Sequence, residues 1–295
     1  VRKAALGVIG LGNMGRGIAG NIARAGYELA VWDVAARALR PFRGKRGVTV
    51  LEPAEMARRC AAIFFVVPGS SEIEPMLRGR DGILANARAG LVLYDLTTSD
   101  PARTRRLAQK AAGAGAAYLD AGMSGGASGA EAGTLTLMIG GDARAFRRTR
   151  TYLRPFARNL FYLGGSGAGH TLKLIHNMVC HTIFLATCEG GRLAARAGIA
   201  LKDMIAVFNR ANARSYASQV RFPRHILSGR WDGRSRISNL HKDLAMAVSL
   251  AGALGADVTL GRNTLAFLKR AGALGMQDKD FTLLYRDFEK VRKAP

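Results

Sequence analysis

A short apolar run, Ala4–Ile9, leads directly into Gly10-Leu11-Gly12-Asn13-Met14-Gly15, and a helical pattern, Ile18–Ala25, follows at once. No other feature of the chain limits its fold so strongly. In this G-x-G-x-x-G spacing Gly10 permits a tight turn, Gly12 lets backbone approach a pyrophosphate, and Gly15 permits close helix–strand packing. The first amides of the helix then face the phosphates. A second apolar run, Leu29–Trp32, ends at Asp33, where a carboxylate accepts hydrogen bonds from the ribose hydroxyls of an adenosine. Asp33 repels a 2′-phosphate, which favours NAD over NADP. Arg37 and Arg40, one and two turns further on, leave NADP open.

The strand–helix rhythm continues to about Gly164. Ala62–Val67, Leu91–Tyr94 and Ala117–Leu119 are short, nearly charge-free runs, the pattern of parallel strands buried on both faces. Glu52 precedes Pro53 and Asp100 precedes Pro101, and proline suits a first helical turn because it lacks a donor that would be unpaired there. Thr134–Ile139 reads as a further strand, followed by an Arg-rich helix and a strand at Asn159–Tyr162. This alternation implies a doubly wound α/β sheet. Beyond Gly164 the period changes. No proline interrupts Gly169 to about Arg196, where Leu172, Ile175, Val179, Ile183 and Ala186 recur at helical spacing. Further helices are expected near Leu201–Arg210, Ser215–Leu227, Ser238–Leu254, Leu260–Ala271 and Phe281–Val291. The expected organisation is a dinucleotide-binding domain over residues 1–164 and an all-α domain over residues 165–295, joined by the long helix.

Composition narrows the function. With 48% hydrophobic and 22% charged residues, disorder is excluded as the main state. No apolar run reaches the roughly 18 residues that span a bilayer. The N-terminal Val1-Arg2-Lys3 and the residues after it lack a cleavage region and run into the glycine motif, so they read as the approach to a first buried strand. A cytoplasmic protein with no membrane partner is expected. The 44 basic and 21 acidic side chains, net +23, raise the question of nucleic acid. The excess is spread over both halves, with no basic tail and no aromatic-interleaved stripe, so it reads as a solvated Arg-rich surface and no nucleic-acid partner is expected. Cys60, Cys180 and Cys188 have no metal-type spacing, and no metal is expected; Cys180 and Cys188 fall in a helical pattern and read as buried thiols in a reducing compartment.

Three further segments, taken with the glycine motif, resemble the β-hydroxyacid dehydrogenase family. Asp120-Ala121-Gly122-Met123-Ser124-Gly125-Gly126 with Ala132-Gly133-Thr134-Leu135-Thr136 is similar to its substrate-binding signature. Gly167-Ala168-Gly169-His170-Thr171-Leu172-Lys173 with Asn177 resembles its catalytic motif, and His241-Lys242-Asp243-Leu244 its second lysine motif. Gly122-Met123 stands where the family usually has proline and valine, and His176 where many members carry asparagine. The resemblance implies a Rossmann-type domain followed by a helical domain, a homodimer or homotetramer, and reversible oxidation of a short 3-hydroxy acid to a semialdehyde.

The residues themselves fit this chemistry. Lys173 and Asn177 are i and i+4 on one helix and reach the same face. A hydride leaves a carbinol carbon only if the hydroxyl proton also leaves, and a lysine partly desolvated between two domains is a suitable general base, or acid in reduction. Asn177 holds the substrate hydroxyl or orients the lysine. Ser124 and the amides of Gly125 and Gly126 supply donors for a carboxylate. Thr98 follows a strand at the carboxyl edge of the sheet and is expected beside the nicotinamide. Val67-Pro68 lines the adenosine side or is a plain strand-ending turn. Lys242 approaches the nicotinamide or the substrate, with Asp243 fixing it. His170, His176 and His241 show no metal spacing. Arg214, if it points inward, requires a second anionic or strongly polar group on the substrate, because an unpaired buried guanidinium is costly. Two other readings remain: a non-catalytic NAD(P)-binding or regulatory protein on the same scaffold, and an imine reductase. Lys173 argues against both, since the first lacks that lysine and the second usually carries an acidic residue or tyrosine there.

Overall fold

The computed structural model describes residues 4–294; Val1, Arg2, Lys3 and Pro295, and with them the first three residues of the expected approach to the first strand, lie outside the described residues. The chain divides into two compact units, the first ending at Lys173 and the second beginning at Leu174.

The first unit is built on one sheet of β1 (Ala5–Ile9), β2 (Glu28–Trp32), β3 (Val48–Val50), β4 (Ala62–Phe65), β5 (Val92–Asp95), β6 (Ala117–Ser124), β7 (Leu135–Gly140) and β8 (Ala157–Tyr162), in the order β3-β2-β1-β4-β5-β6-β7-β8. Its helices are α1 (Asn13–Arg24), α2 (Ala36–Leu39), α3 (Pro53–Arg59), α4 (Ser70–Leu77), α5 (Pro101–Gly113), α6 (Gly126–Ala132) and α7 (Ala143–Thr149). Two apolar clusters form its core, one around Leu6, Val31, Phe64 and Tyr94, the other around Ile9, Ile63, Phe65 and Leu93. Neighbouring residues of one strand thus enter opposite clusters, as the pleat requires of a sheet covered on both faces. Asp100 and Asp142 cap α5 and α7 by accepting from the N–H of Arg103 and Ala145, contacts typically worth about 1 kcal/mol each. Strand order reverses between β1 and β4, and the crevice outside the carboxyl ends at such a point is where open α/β sheets bind ligands.

Several details depart from the sequence reading. The short, largely exposed β3 was not expected, and β6 and β7 pair antiparallel within an otherwise parallel sheet. The antiparallel pair arises because Gly125 and Gly126, both at positive φ, turn the chain into the short α6 and return it beside β6. β6 also runs five residues past the expected Leu119, since the buried Asp120 is satisfied by backbone donors described below.

A single helix, α8 (Ala168–Arg196), starts in the first unit and continues into the second. The second unit adds α9 (Leu201–Phe208), a π-helix (Ala217–Leu227), α10 (Ile237–Ala253), α11 (Thr259–Ala273), α12 (Leu283–Arg286) and α13 (Phe288–Lys293). Its core gathers Phe184, Phe222, Phe267, Phe281 and Phe288. The expected helix Ser215–Leu227 is wound as a π-helix containing Pro223, and the expected Phe281–Val291 breaks at Asp287 into two short pieces. Among the described residues no helix is long and apolar enough to cross a membrane.

Candidate active site

The glycine loop joins β1 to α1 beside the strand-order reversal. Gly10 has φ +93°, and a Cβ there would collide with the carbonyl oxygen of Val66 just beyond β4. A Cβ on Gly15 would collide with the carbonyl oxygen of Gly10. Both positions are therefore closed to side chains by the protein's own backbone. Gly12 differs: a Cβ there meets nothing within 4 Å. It is exposed together with Asn13, whereas Leu11 is buried and Met14 packs partly on the core. Gly12 is also the N-cap of α1 and offers no side-chain cap, so the first amides of the helix lack a side-chain partner. An open-sided glycine at an uncapped helix start is the cradle a dinucleotide pyrophosphate needs.

Asp33 is tied to this loop. Its Oδ2 accepts from the Leu11 N–H at 2.7 Å and its Oδ1 from the Ala35 N–H at 2.8 Å. Arg37 and Arg40 are exposed in and just after α2. Val67 lies against the glycine loop, its Cγ1 3.0 Å from where a Gly10 Cβ would stand, and Pro68 is exposed.

At the end of β5 the Asp95 carboxylate is fully buried. Its Oδ1 accepts from the Thr97 N–H at 3.0 Å and the Thr97 hydroxyl at 2.6 Å, and its Oδ2 from the Tyr118 hydroxyl at 2.8 Å. Burial and the adjacent Asp95 charge hold the Tyr118 hydroxyl well above the usual phenol range, so it remains a donor. With Thr97 directed into this network, Thr98 is the partly exposed residue of the turn.

Ser124 ends β6 half-buried, and Gly125 and Gly126 emerge exposed after it. Gly122 precedes Ser124 by two residues and so shares its strand face. A Cβ on Gly122 would stand 2.5 Å from Lys173 Cβ and 2.8 Å from its Cγ, so the lysine stem lies directly on the strand. Lys173 itself is only 7% exposed. The glycine that replaces the family's usual proline thus makes room for that close approach.

In the second unit Asn177 and Asp243 are buried. Asn177 Nδ2 donates to Asp243 Oδ2 at 2.6 Å, its Oδ1 is 3.0 Å from His176 Nδ1, and Lys242 Nζ lies 3.6 Å from Asp243 Oδ1. The amide is thus oriented from both ends, and Asp243 bridges it to Lys242. Sequence reading paired Asp243 with Lys242 but missed its bond to Asn177, 66 residues away. Arg214 is exposed, so the desolvation cost from which a second substrate anion was expected does not arise.

Burial pushes the Cys60 thiol up to about 12 and the Cys188 thiol well above its ordinary range, which keeps both protonated and unreactive. Among the described residues no group of three or more His, Cys, Asp or Glu could hold a metal.

Comparison with known proteins agrees with this geometry. Residues 5–164 match the family described as the NAD binding domain of 6-phosphogluconate dehydrogenase, and residues 167–288 that described as NAD-binding of NADP-dependent 3-hydroxyisobutyrate dehydrogenase. A probable mitochondrial 3-hydroxyisobutyrate dehydrogenase of Dictyostelium discoideum is 32% identical, the match covering 95% of this chain and 89% of that protein. The human mitochondrial 3-hydroxyisobutyrate dehydrogenase is 30% identical, over 96% of this chain and 86% of its own length. The solved structure of a Mycobacterium tuberculosis 3-hydroxyisobutyrate dehydrogenase with L-serine superposes with a TM-score of 0.86 at 26% identity, covering 97% of this chain and 99% of that one. Matched across both units and carrying the dinucleotide cradle, this chain belongs to the β-hydroxyacid dehydrogenase family and is an NAD(P)-dependent hydroxyacid oxidoreductase.

Proposed function

We propose that the chain oxidises a short 3-hydroxy carboxylate to its semialdehyde, reversibly, with Lys173 as the proton-transfer group. One observation carries this reading above all: the buried Lys173 stem lies on Gly122, two residues before Ser124 on the same strand face. That closeness supports reading Lys173 as the proton-transfer group and Ser124 as the carboxylate anchor of one site. Ser124 and the amides of Gly125 and Gly126 hold the substrate carboxylate. Lys173 takes the hydroxyl proton as the carbonyl forms, and returns it in reduction. A lysine acts as a base near neutrality where its surroundings disfavour the ammonium. Asn177, held by His176 and Asp243, is assigned to the hydroxyl or the lysine, and Lys242 to the nicotinamide or the substrate.

Residues 1–164 serve as the dinucleotide-binding domain and residues 165–295 as the substrate and dimerisation domain. Gly10 to Gly15 would hold the pyrophosphate, Asp33 the adenosine ribose, Val67 and Pro68 the adenosine side and Thr98 the nicotinamide end. The bound nicotinamide supplies the acceptor for the substrate's hydride. The relatives are named for 3-hydroxyisobutyrate, and L-serine, present with the Mycobacterium tuberculosis enzyme, is also a 3-hydroxy acid. Initial rates with a panel of such acids, and the matching semialdehydes, test the proposal. Turnover of 3-hydroxy acids over their 2-hydroxy isomers supports it; activity confined to imines, or no turnover at all, contradicts it.

NAD is the preferred cofactor. Asp33→Ala should lower the ratio of kcat/KM for NAD to that for NADP by about 10–100-fold, as expected for losing a charge-assisted hydrogen bond of about 1.5–3 kcal/mol. An unchanged ratio would show that Arg37, Arg40 or the backbone sets the preference.

The three free cysteines support a reducing compartment such as the cytoplasm. A homo-oligomer is supported by α8, where Leu172, Ile175, Val179 and Ile183 are 38–48% exposed at a spacing that puts them on one helix face. A second copy covering this stripe buries it. Wild type should sediment as a dimer or tetramer and Val179→Asp as a smaller species; a monomeric wild type contradicts this reading.

A further inference from the structure

Asp120 carries a charge that the proposed chemistry leaves unused. The residue is fully buried in β6, yet its carboxylate is engaged at both oxygens. Oδ1 accepts from the Gly167 N–H and Oδ2 from the His170 N–H, each at 2.8 Å, across 47 and 50 residues of chain. These amides bracket the start of α8. The first N–H groups of a helix have no carbonyl partner within it, and the positive end of the helix attracts an anion. Asp120 therefore caps α8 from a distant strand, through two charge-assisted hydrogen bonds.

The surroundings are shaped for that carboxylate. A Cβ on Gly140 would stand 2.9 Å from Oδ1, and one on Gly169 would stand 2.9 Å from Oδ2. Gly167 turns the chain into the helix at φ +91°. The same turn is secured by the His170 ring, whose Nδ1 lies 2.7 Å from the buried Thr104 hydroxyl at the start of α5.

The consequence for Lys173 follows from register. Asp120, Gly122 and Ser124 share one face of β6, since side chains alternate along a strand. The His170 amide sits on the first and the Lys173 stem on the second. Three helix residues advance about 4.5 Å and two strand residues about 6.6 Å, so a single fixed point at His170 sets the height at which the lysine meets the strand.

We propose that Asp120 is a positioning residue of the reaction: its carboxylate fixes the first turn of α8 against β6 and so places Lys173 relative to a substrate held at Ser124. This rests on the reading of Lys173 as the proton-transfer group.

A double-mutant cycle tests it. Asp120→Asn keeps the size but turns one acceptor into a donor facing an N–H. It should lower kcat about 10–100-fold, as a misplacement of the order of 1 Å does, while dinucleotide binding stays within about twofold. In a Lys173→Ala background the same substitution should cost less than about twofold, because the group it positions is already gone. A purely structural role predicts equal losses in both backgrounds, and that result overturns the proposal, as does an unchanged kcat in Asp120→Asn alone. Near-normal turnover of Lys173→Ala overturns the lysine's role and this proposal with it, and is distinguishable because it is read in the single variant. Asp120→Ser, smaller and keeping one acceptor oxygen, is carried through the same cycle so that poor folding of the asparagine variant does not end the test.

Discussion

Lys173→Ala is expected to lower turnover by about 10²–10⁴-fold, the usual contribution of a general acid–base group. The alanine removes the side chain assigned to accept the hydroxyl proton, and its position is buried against Gly122, so bulk water does not replace the lysine freely. Dinucleotide affinity should barely change, because the glycine loop between β1 and α1 and Asp33 just after β2 are the residues assigned to the dinucleotide, whereas the Lys173 stem lies on Gly122 of β6. Steady-state kcat together with a fluorescence titration of NADH separates the two quantities. Near-normal turnover, or a loss confined to cofactor affinity, would remove Lys173 from the proposed role.

Gly15→Ala should act on the opposite quantity. Its Cβ would collide with the Gly10 carbonyl oxygen, a backbone atom that cannot swing aside, so the loop must open and the cradle is lost. Dinucleotide Kd should rise about 100-fold or more, equivalent to about 2.7 kcal/mol, with a lowered Tm. Gly12→Ala is the informative comparison. Its Cβ meets no protein atom within 4 Å, so the fold should keep its Tm while dinucleotide binding still weakens. That separation would locate the ligand against Gly12 by its steric effect alone. If Gly12→Ala binds NADH as wild type does, the pyrophosphate does not approach there.

Features encoded in neighbouring residues were legible in the sequence. The buried strands β1, β2, β4 and β5 announce themselves as short apolar runs, and α8 as a long proline-free period ending at Arg196. The glycine motif could be read because each glycine acts within a few residues of the next. β3 was missed because Val48–Val50 is short, mostly exposed and set in a basic, glycine-rich stretch. β6 was read too short because Asp120 interrupts its apolar run, and nothing near it in sequence shows that Gly167 and His170 will satisfy the carboxylate. The bond from Asn177 to Asp243 was hidden for the same reason. Arg214 shows the converse: whether it points inward depends on packing that local pattern does not encode, and it is exposed. Candidate chemistry was thus visible residue by residue, whereas the hydrogen bonds that hold it in place are non-local.

Isotope transfer tests the proposed reaction most directly. The wild-type enzyme is incubated with NAD and its best 3-hydroxy acid from the panel, fully deuterated at the carbinol carbon, and the NADH formed is weighed by mass spectrometry. The account predicts NADH heavier by one deuterium per turnover, formed together with the semialdehyde. NADH without the label, or no NADH while the protein demonstrably binds the dinucleotide, would contradict it.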